Sequence, residues 1–253
     1  MNKMTWLLCV LILSAGIFGA GYNIGKGFYL TKKMSRTISV KGLAEQDVKS
    51  DLGIWEIYYR EVGDDLVKLM QRVQHDQEQV SAFLISLGFN EKEFDKTQIK
   101  IEDRNANVYL QPSNQTNINQ RYVITAGLRI RSTNVDLIWK SAQSIDKLIQ
   151  QGISIASDAS TLSPNPSYYY LSLDSIRPNL LSQATKSARH IAEQFAQDSE
   201  SKLGGIQRAS QGVFQIMGRD TSTMSADWNS NQNALGSIDK KVRLVTTIEY
   251  YLK

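Results

Sequence analysis

Two histidines, one cysteine and a scatter of carboxylates are what this 253-residue chain offers to acid–base, metal or nucleophilic chemistry. His75 and His190 each fall in the middle of a helical pattern among polar neighbours. Neither has an Asp or Glu at the spacing of a zinc ligand set or a triad, so each reads as a solvated helix histidine. Cys9 lies among leucines in the N-terminal apolar run, too early and without the preceding small residue that lipidation needs. The rest of the chain has no thiol, which excludes disulfides, thiolate metal sites and cysteine nucleophiles there. There is no P-loop, no Gly-x-Gly-x-x-Gly and no Gly-x-Ser-x-Gly elbow. Glu193 and Asp198 are the best carboxylates for acid–base work. However, Arg189 precedes Glu193 by four residues and Lys202 follows Asp198 by four, the pattern of surface ion pairs on a helix. The sequence therefore predicts no catalytic, cofactor-binding or metal-ligating residue.

The aromatics fit packing better than recognition. Trp55, Tyr58, Tyr59, Tyr122 and Tyr168 to Tyr170 all fall in predicted strands. Trp228 stands alone in a polar loop and is the one candidate partner-contact residue. Asp239, Lys240, Lys241 and Arg243 are expected as loop-end charges guarding the last strand.

The net charge of +4 is localised. Residues 1–33 hold Lys3, Lys26, Lys32 and Lys33 and no carboxylate, and setting those four of 29 aside leaves 25 cationic against 25 acidic residues in 34–253. A nucleic-acid binder carries its surplus on the folded body, so nucleic acid is not expected as a partner.

The elements that would position these residues begin with 6–24, a span free of charge. Nineteen residues at 1.5 Å each reach about 28 Å, close to the hydrocarbon thickness of a bilayer. Tyr22, Phe28 and Tyr29 are placed as interfacial aromatics, and 1–33 is expected as a membrane anchor, with a cleaved signal peptide as the alternative. Lys26, Lys32, Lys33 and Arg36 after the span favour a cytoplasmic body. Lys3 before it is the usual mark of export, so charge alone leaves sidedness open.

From 34 to 253 the pattern alternates between strand pairs and helices. Strands are predicted at 37–41 and 47–60. A helix follows, opened by Asp64 and Asp65 and closed at Gly88, with Leu66, Leu69, Met70, Val73, Val80, Phe83, Leu84 and Leu87 inward. The next strands are 97–103 and 120–131, joined by a polar loop at 105–119. Asn134 then caps a helix with Val135, Ile138, Ala142, Ile145 and Ile149 inward. Strands at 153–156 and 168–173 lead to a long helix at 175–203, with Ile176, Leu180, Ala184, Ala188, Ile191, Phe195 and Leu203 on one face and Gly204-Gly205 as its stop. Strands at 206–217 and 242–252 close the chain around a loop at 218–239. The expected fold class is α+β. It consists of repeated ββα units, with about eight strands in mainly antiparallel sheet and three helices, plus one N-terminal transmembrane helix.

Three stretches resemble the SIMPL-domain family. Arg36–Asp51 (RTISVKGLAEQDVKSD) is similar to its opening V-x-G strand and acidic turn. Ala184–Gln211 is similar to its alanine-rich helix with a Leu-Gly-x-Ile exit, and Val242–Tyr250 (VRLVTTIEY) to its closing strand. The resemblance covers about 35–253 and implies a single SIMPL domain over 34–253. It also implies an exported protein of the bacterial envelope, self-associating and linked to stress tolerance, for which the family supplies no catalytic residues. The functional expectation is a non-enzymatic protein, anchored in the inner membrane through 6–24 with its body in the periplasm, forming homo-oligomers and supporting stress tolerance or envelope integrity. The alternative is a module that captures a peptide, glycan or protein through an edge strand or the loops 105–119 and 218–239. An enzyme is the weakest reading.

Overall fold

Apolar and polar residues alternate from Thr37 onward and again from Leu52, and this period of two gives two long strands in the computed structural model. The structure describes residues 13–26, 36–106, 120–156, 165–219 and 235–253. In chain order these form α1 (residues 13–26), β1 (Thr37–Lys49), β2 (Leu52–Gly63), α2 (Leu66–Ser86), a 3-10 turn (Glu91–Glu93), β3 (Phe94–Lys96) and β4 (Lys100–Asp103). There follow β5 (Tyr122–Ser132), α3 (Val135–Ala142), α4 (Asp146–Gln150), β6 (Ser167–Tyr169), α5 (Leu173–Asp198), β7 (Leu203–Gln211), β8 (Gln215–Gly218) and β9 (Asp239–Leu252). They fall into two compact units. One comprises Met1–Gln46, Asp174–Gln215 and Arg243–Lys253; the other comprises Asp47–Leu173 and Ile216–Val242.

The larger unit is built on a five-stranded sheet in the order β3-β5-β2-β6, with β4 also on β5. Antiparallel register sets Trp55 opposite Ile130, Ile57 opposite Leu128 and Tyr59 opposite Ala126, so one face of β2 and β5 is continuously apolar. The 3.6-residue period of α2 lays Leu69, Val73, Val80, Phe83 and Leu84 on that face. Asp65 caps α2 by accepting from Val67 N and Lys68 N at 3.0 and 3.2 Å. Asn134 caps α3 as the sequence predicts, accepting from Leu137 N at 3.1 Å. Gly88 and Gly152, with φ of 101° and 91°, stand where a left-handed residue ends a helix.

In the other unit β9 lies between β1 and β7, and α5 covers one sheet face with Ala188 and Ala192 against Val40, Ile248 and Tyr250. Gly42 makes that approach work. A Cβ there would lie 1.9 Å from Ala184 O and 2.6 Å from Ala188 N, so only glycine lets the helix backbone come this close.

The α+β class and antiparallel pairing are as expected, but the repeat is not. Among the described residues nine strands and four body helices run ββα, βββαα, βα, βββ. The expected helix over 135–149 divides, because turns at Ser144 and Ile145 shift the phase and bury Leu148 while Ile149 stays exposed. The expected strand at 153–156 contributes only the bridge of Ile155 to Tyr59. Helix α5 stops at Asp198 with Glu200 at φ 54°, not at Gly204-Gly205. Its buried stripe is Leu180, Ala184, Ala188, Ala192 and Ala196, whereas Phe195 points outward. Among the described residues no helix is long and apolar enough to cross a membrane, and residues 6–12 of the predicted span lie outside those described.

Candidate functional site

Strand β7 follows α5 after a short turn and is fastened at its base. Lys202 and Lys253 exchange backbone hydrogen bonds of 2.8 Å in both directions. Its pairing with β9 slips twice, between Leu203 and Ile206 and between Ile206 and Arg208. Gly204 lies at the first slip, where a Cβ would come 2.8 Å from Tyr251 O, so this glycine serves a bulge and not a helix stop. Among the described residues β7 pairs with β9 alone, and every residue from Gly205 to Gln211 is exposed. Ile206 is 52% exposed, and beyond the strand Val213 is 84% exposed. An edge strand with free backbone groups and apolar side chains on view is a template for pairing with another chain.

The described part of α1 presents a second uncovered surface. Leu13, Ile17, Phe18, Tyr22 and Ile24 are each 61% exposed or more. Such a helix has its apolar surface unburied by the described chain.

The residues singled out in the sequence fall in separate places. His75 is on α2 and contacts the Gln79 amide at 2.8 Å; His190 is on α5. Glu193 accepts from Arg189 Nε at 2.9 Å, as the helical spacing predicts. Asp198 does not pair with Lys202, because the helix ends at Asp198 and the four-residue spacing no longer brings the two together. Asp239, Lys240, Lys241 and Arg243 stand at the loop end where β9 begins, as expected, but not on an edge strand. They lie within β9, the middle strand of its sheet, and Lys240 is buried, which pushes its ammonium down to about 8. Trp228 and most of the loops 105–119 and 218–239 lie outside the described residues.

Sequence reasoning missed one cluster. Glu61 continues the inward row of β2 after Trp55, Ile57 and Tyr59, and so meets α2 at Arg72 and Asp76, which are one turn apart on the helix. Arg72 Nη1 stands 3.8 Å from Glu61 Oε2. Burial pushes the Glu61 carboxyl up, Asp76 pushes it further, and Arg72 only partly offsets them. Burial likewise raises Asp76, against the opposing influence of His75, Glu61 and Arg72. Beneath them the Tyr59 side chain is 1% exposed, and its hydroxyl has no hydrogen-bond partner among the described residues. The usable signal was the alternation of β2, which puts a carboxylate in register with its core residues. Among the described residues no group of three or more His, Cys, Asp or Glu side chains could hold a metal ion.

A family model described as SIMPL, a protein of unknown function (DUF541), matches residues 38–245. The chain belongs to the SIMPL family. The match spans Gly42, the alanine stripe of α5 and the first half of β9. Within it, the Val40-Lys41-Gly42 stretch of β1 and the alanine-rich helix α5 are two sides of one close contact, with Gly42 against Ala184 and Ala188. No curated protein matches the chain.

Proposed function

We propose that this SIMPL protein is a non-enzymatic, membrane-anchored envelope component that self-associates through β7 and supports stress tolerance or envelope integrity. The exposed edge of β7 carries the self-association reading. Seven consecutive exposed residues with a free hydrogen-bonding side are what a second copy would extend by strand addition. The uncovered apolar side chains of α1 support the anchor, since a lipid phase would bury what the described chain does not. The absence of thiols from the body and the placement of the two histidines on different helices support a non-catalytic role. The family resemblance supports a periplasmic body. In detergent, light scattering of the full chain gives the mass. An oligomer is expected, and Ile206→Glu with Ala209→Lys on β7 should convert it to monomer while the circular dichroism stays unchanged. A wild-type monomer at micromolar concentration overturns the reading. Capture of a peptide along the same edge is the second reading, and it predicts a monomer whose mass rises only when partner is added.

A further inference from the structure

Which backbone groups β7 leaves open follows from its pairing. Arg208, Ala209, Ser210 and Gln211 stand opposite Glu249, Ile248, Thr247 and Thr246 of β9. The register continues to Gly212, whose N–H donates to Val245 O at 2.9 Å. In an antiparallel ladder, opposite residues that exchange backbone bonds alternate with those that do not. Gly212, Ser210 and Arg208 therefore turn their N–H and C=O groups toward β9, whereas Ala209 and Gln211 turn theirs outward. The run ends at Gln207, the extra residue of the second slip. At its other end Val213 is exposed, and Phe214 lies under the Arg177 guanidinium, 5.6 Å from ring centroid to Cζ. Charge separates this edge from its counterpart. Arg208 is the one charged residue in β7, which has no proline. On β1, the opposite edge strand among the described residues, Lys41, Glu45, Asp47 and Lys49 are exposed, and such charges discourage pairing.

We propose that two copies of the chain join by antiparallel pairing of β7 with β7 about a two-fold axis through Ser210. This rests on the self-association reading above and adds to it the partner edge, the symmetry and the register. Ala209 of each copy stands opposite Gln211 of the other, and the two pairs exchange four backbone hydrogen bonds through the groups that β9 leaves open. Ser210 meets Ser210 of the second copy at a non-bonded position, where Cβ atoms come within about 5 Å and short hydroxyl side chains fit. Arg208 falls opposite Gly212. The two Arg208 residues are then offset by four residues along the strands, about 14 Å, which exceeds the roughly 10 Å over which salt screens exposed charges. An axis through Ala209 would halve that offset and set Gln211 against the bulged Gln207. The register through Ser210 also carries Ile206 toward Val213 and Phe214 of the second copy, so exposed apolar side chains meet one another. Because the same edge serves both copies, the assembly closes at two.

Disulfide cross-linking of the full chain in detergent, with copper–phenanthroline as oxidant, tests the register. A Cys9→Ser background removes the one native thiol. Ser210→Cys should link to its own copy and double the mass on non-reducing gels, because a non-bonded pair brings two Cβ atoms near the span of a disulfide. Arg208→Cys should stay at single mass, since its two copies are too far apart. Mixing Ala209→Cys with Gln211→Cys should give more linked product than either alone. In light scattering, Ser210→Lys sets like charges face to face at the axis and should halve the mass, with the circular dichroism unchanged. Linking that is stronger at Arg208→Cys than at Ser210→Cys overturns the register. An oligomer that Ser210→Lys leaves intact and Ser210→Cys fails to link assembles through another surface, which refutes the β7 pairing but not self-association. A wild-type monomer refutes both.

Discussion

Gly42 and Asp51 show how single side chains decide local geometry. Replacing Gly42 with alanine drives a Cβ into the Ala184 carbonyl, a backbone atom that cannot rotate away. Gly42→Ala is expected to cost about 2–4 kcal/mol, read as a lower denaturation midpoint, because β1 and α5 must separate to admit one methyl. Asp51 fills the break between β1 and β2 and accepts from Leu171 N at 2.7 Å and Ser172 N at 2.8 Å. Burial pushes its carboxyl up, but the bonds from Ser172 and Leu171 outweigh this and hold it below the ordinary value. Its contribution is therefore present above the unfolded carboxylate pKa and is lost as pH falls through the depressed folded one. Asp51→Ala should cost about 1–2 kcal/mol near neutral pH, with the difference from wild type vanishing in strong acid. Urea melts across that range check the sign.

Helix α5 and strand β7 are the elements on which the fold and the proposed association depend. The alanine stripe lets α5 lie close on its sheet, so Ala188→Leu should overpack the contact with Val40 and Tyr250 and cost about 1–3 kcal/mol. Phe195→Ser, on the exposed side of the same helix, should change stability by no more than about 0.5 kcal/mol. Thermal melts of the two variants separate the faces. This pair also shows what was legible beforehand. The α5 helix, the strand alternation of β5, the Asn134 cap and the Gly88 stop follow from period and local chemistry, and all are present. The sequence assigned Phe195 inward because size suggests burial, but the sheet accepts alanine and excludes the larger ring. The split of α3 from α4 depends on which of Leu148 and Ile149 the sheet buries, a tertiary preference that periodicity does not carry. The carboxyl cluster was hidden for a similar reason. Its members are fifteen residues apart, and only the packing of β2 on α2 makes them neighbours.

At the scale of the molecule the charge is divided between a neutral body and a basic N-terminal stretch. The anchored reading predicts that alkaline carbonate leaves the full chain in the membrane pellet. Protease added to spheroplasts should digest the body if it faces the periplasm. Release by carbonate would refute the anchor, and protection from protease would refute the sidedness. Neither experiment depends on β7.

The placement of β9 has a consequence for synthesis. Its residues lie between β1 and β7, so the earliest long strand of the body cannot join its sheet until the chain has been made to about residue 250. Strands β2 and β5, by contrast, can pair once residue 132 has emerged. Closure of the first sheet is thus a high-contact-order step, slow compared with hairpin formation, and it leaves β1 and β7 as open edges during the wait. A nascent chain of this kind should engage holdase chaperones late in translation, and slowing elongation after β7 should lengthen that engagement more than slowing it before β5.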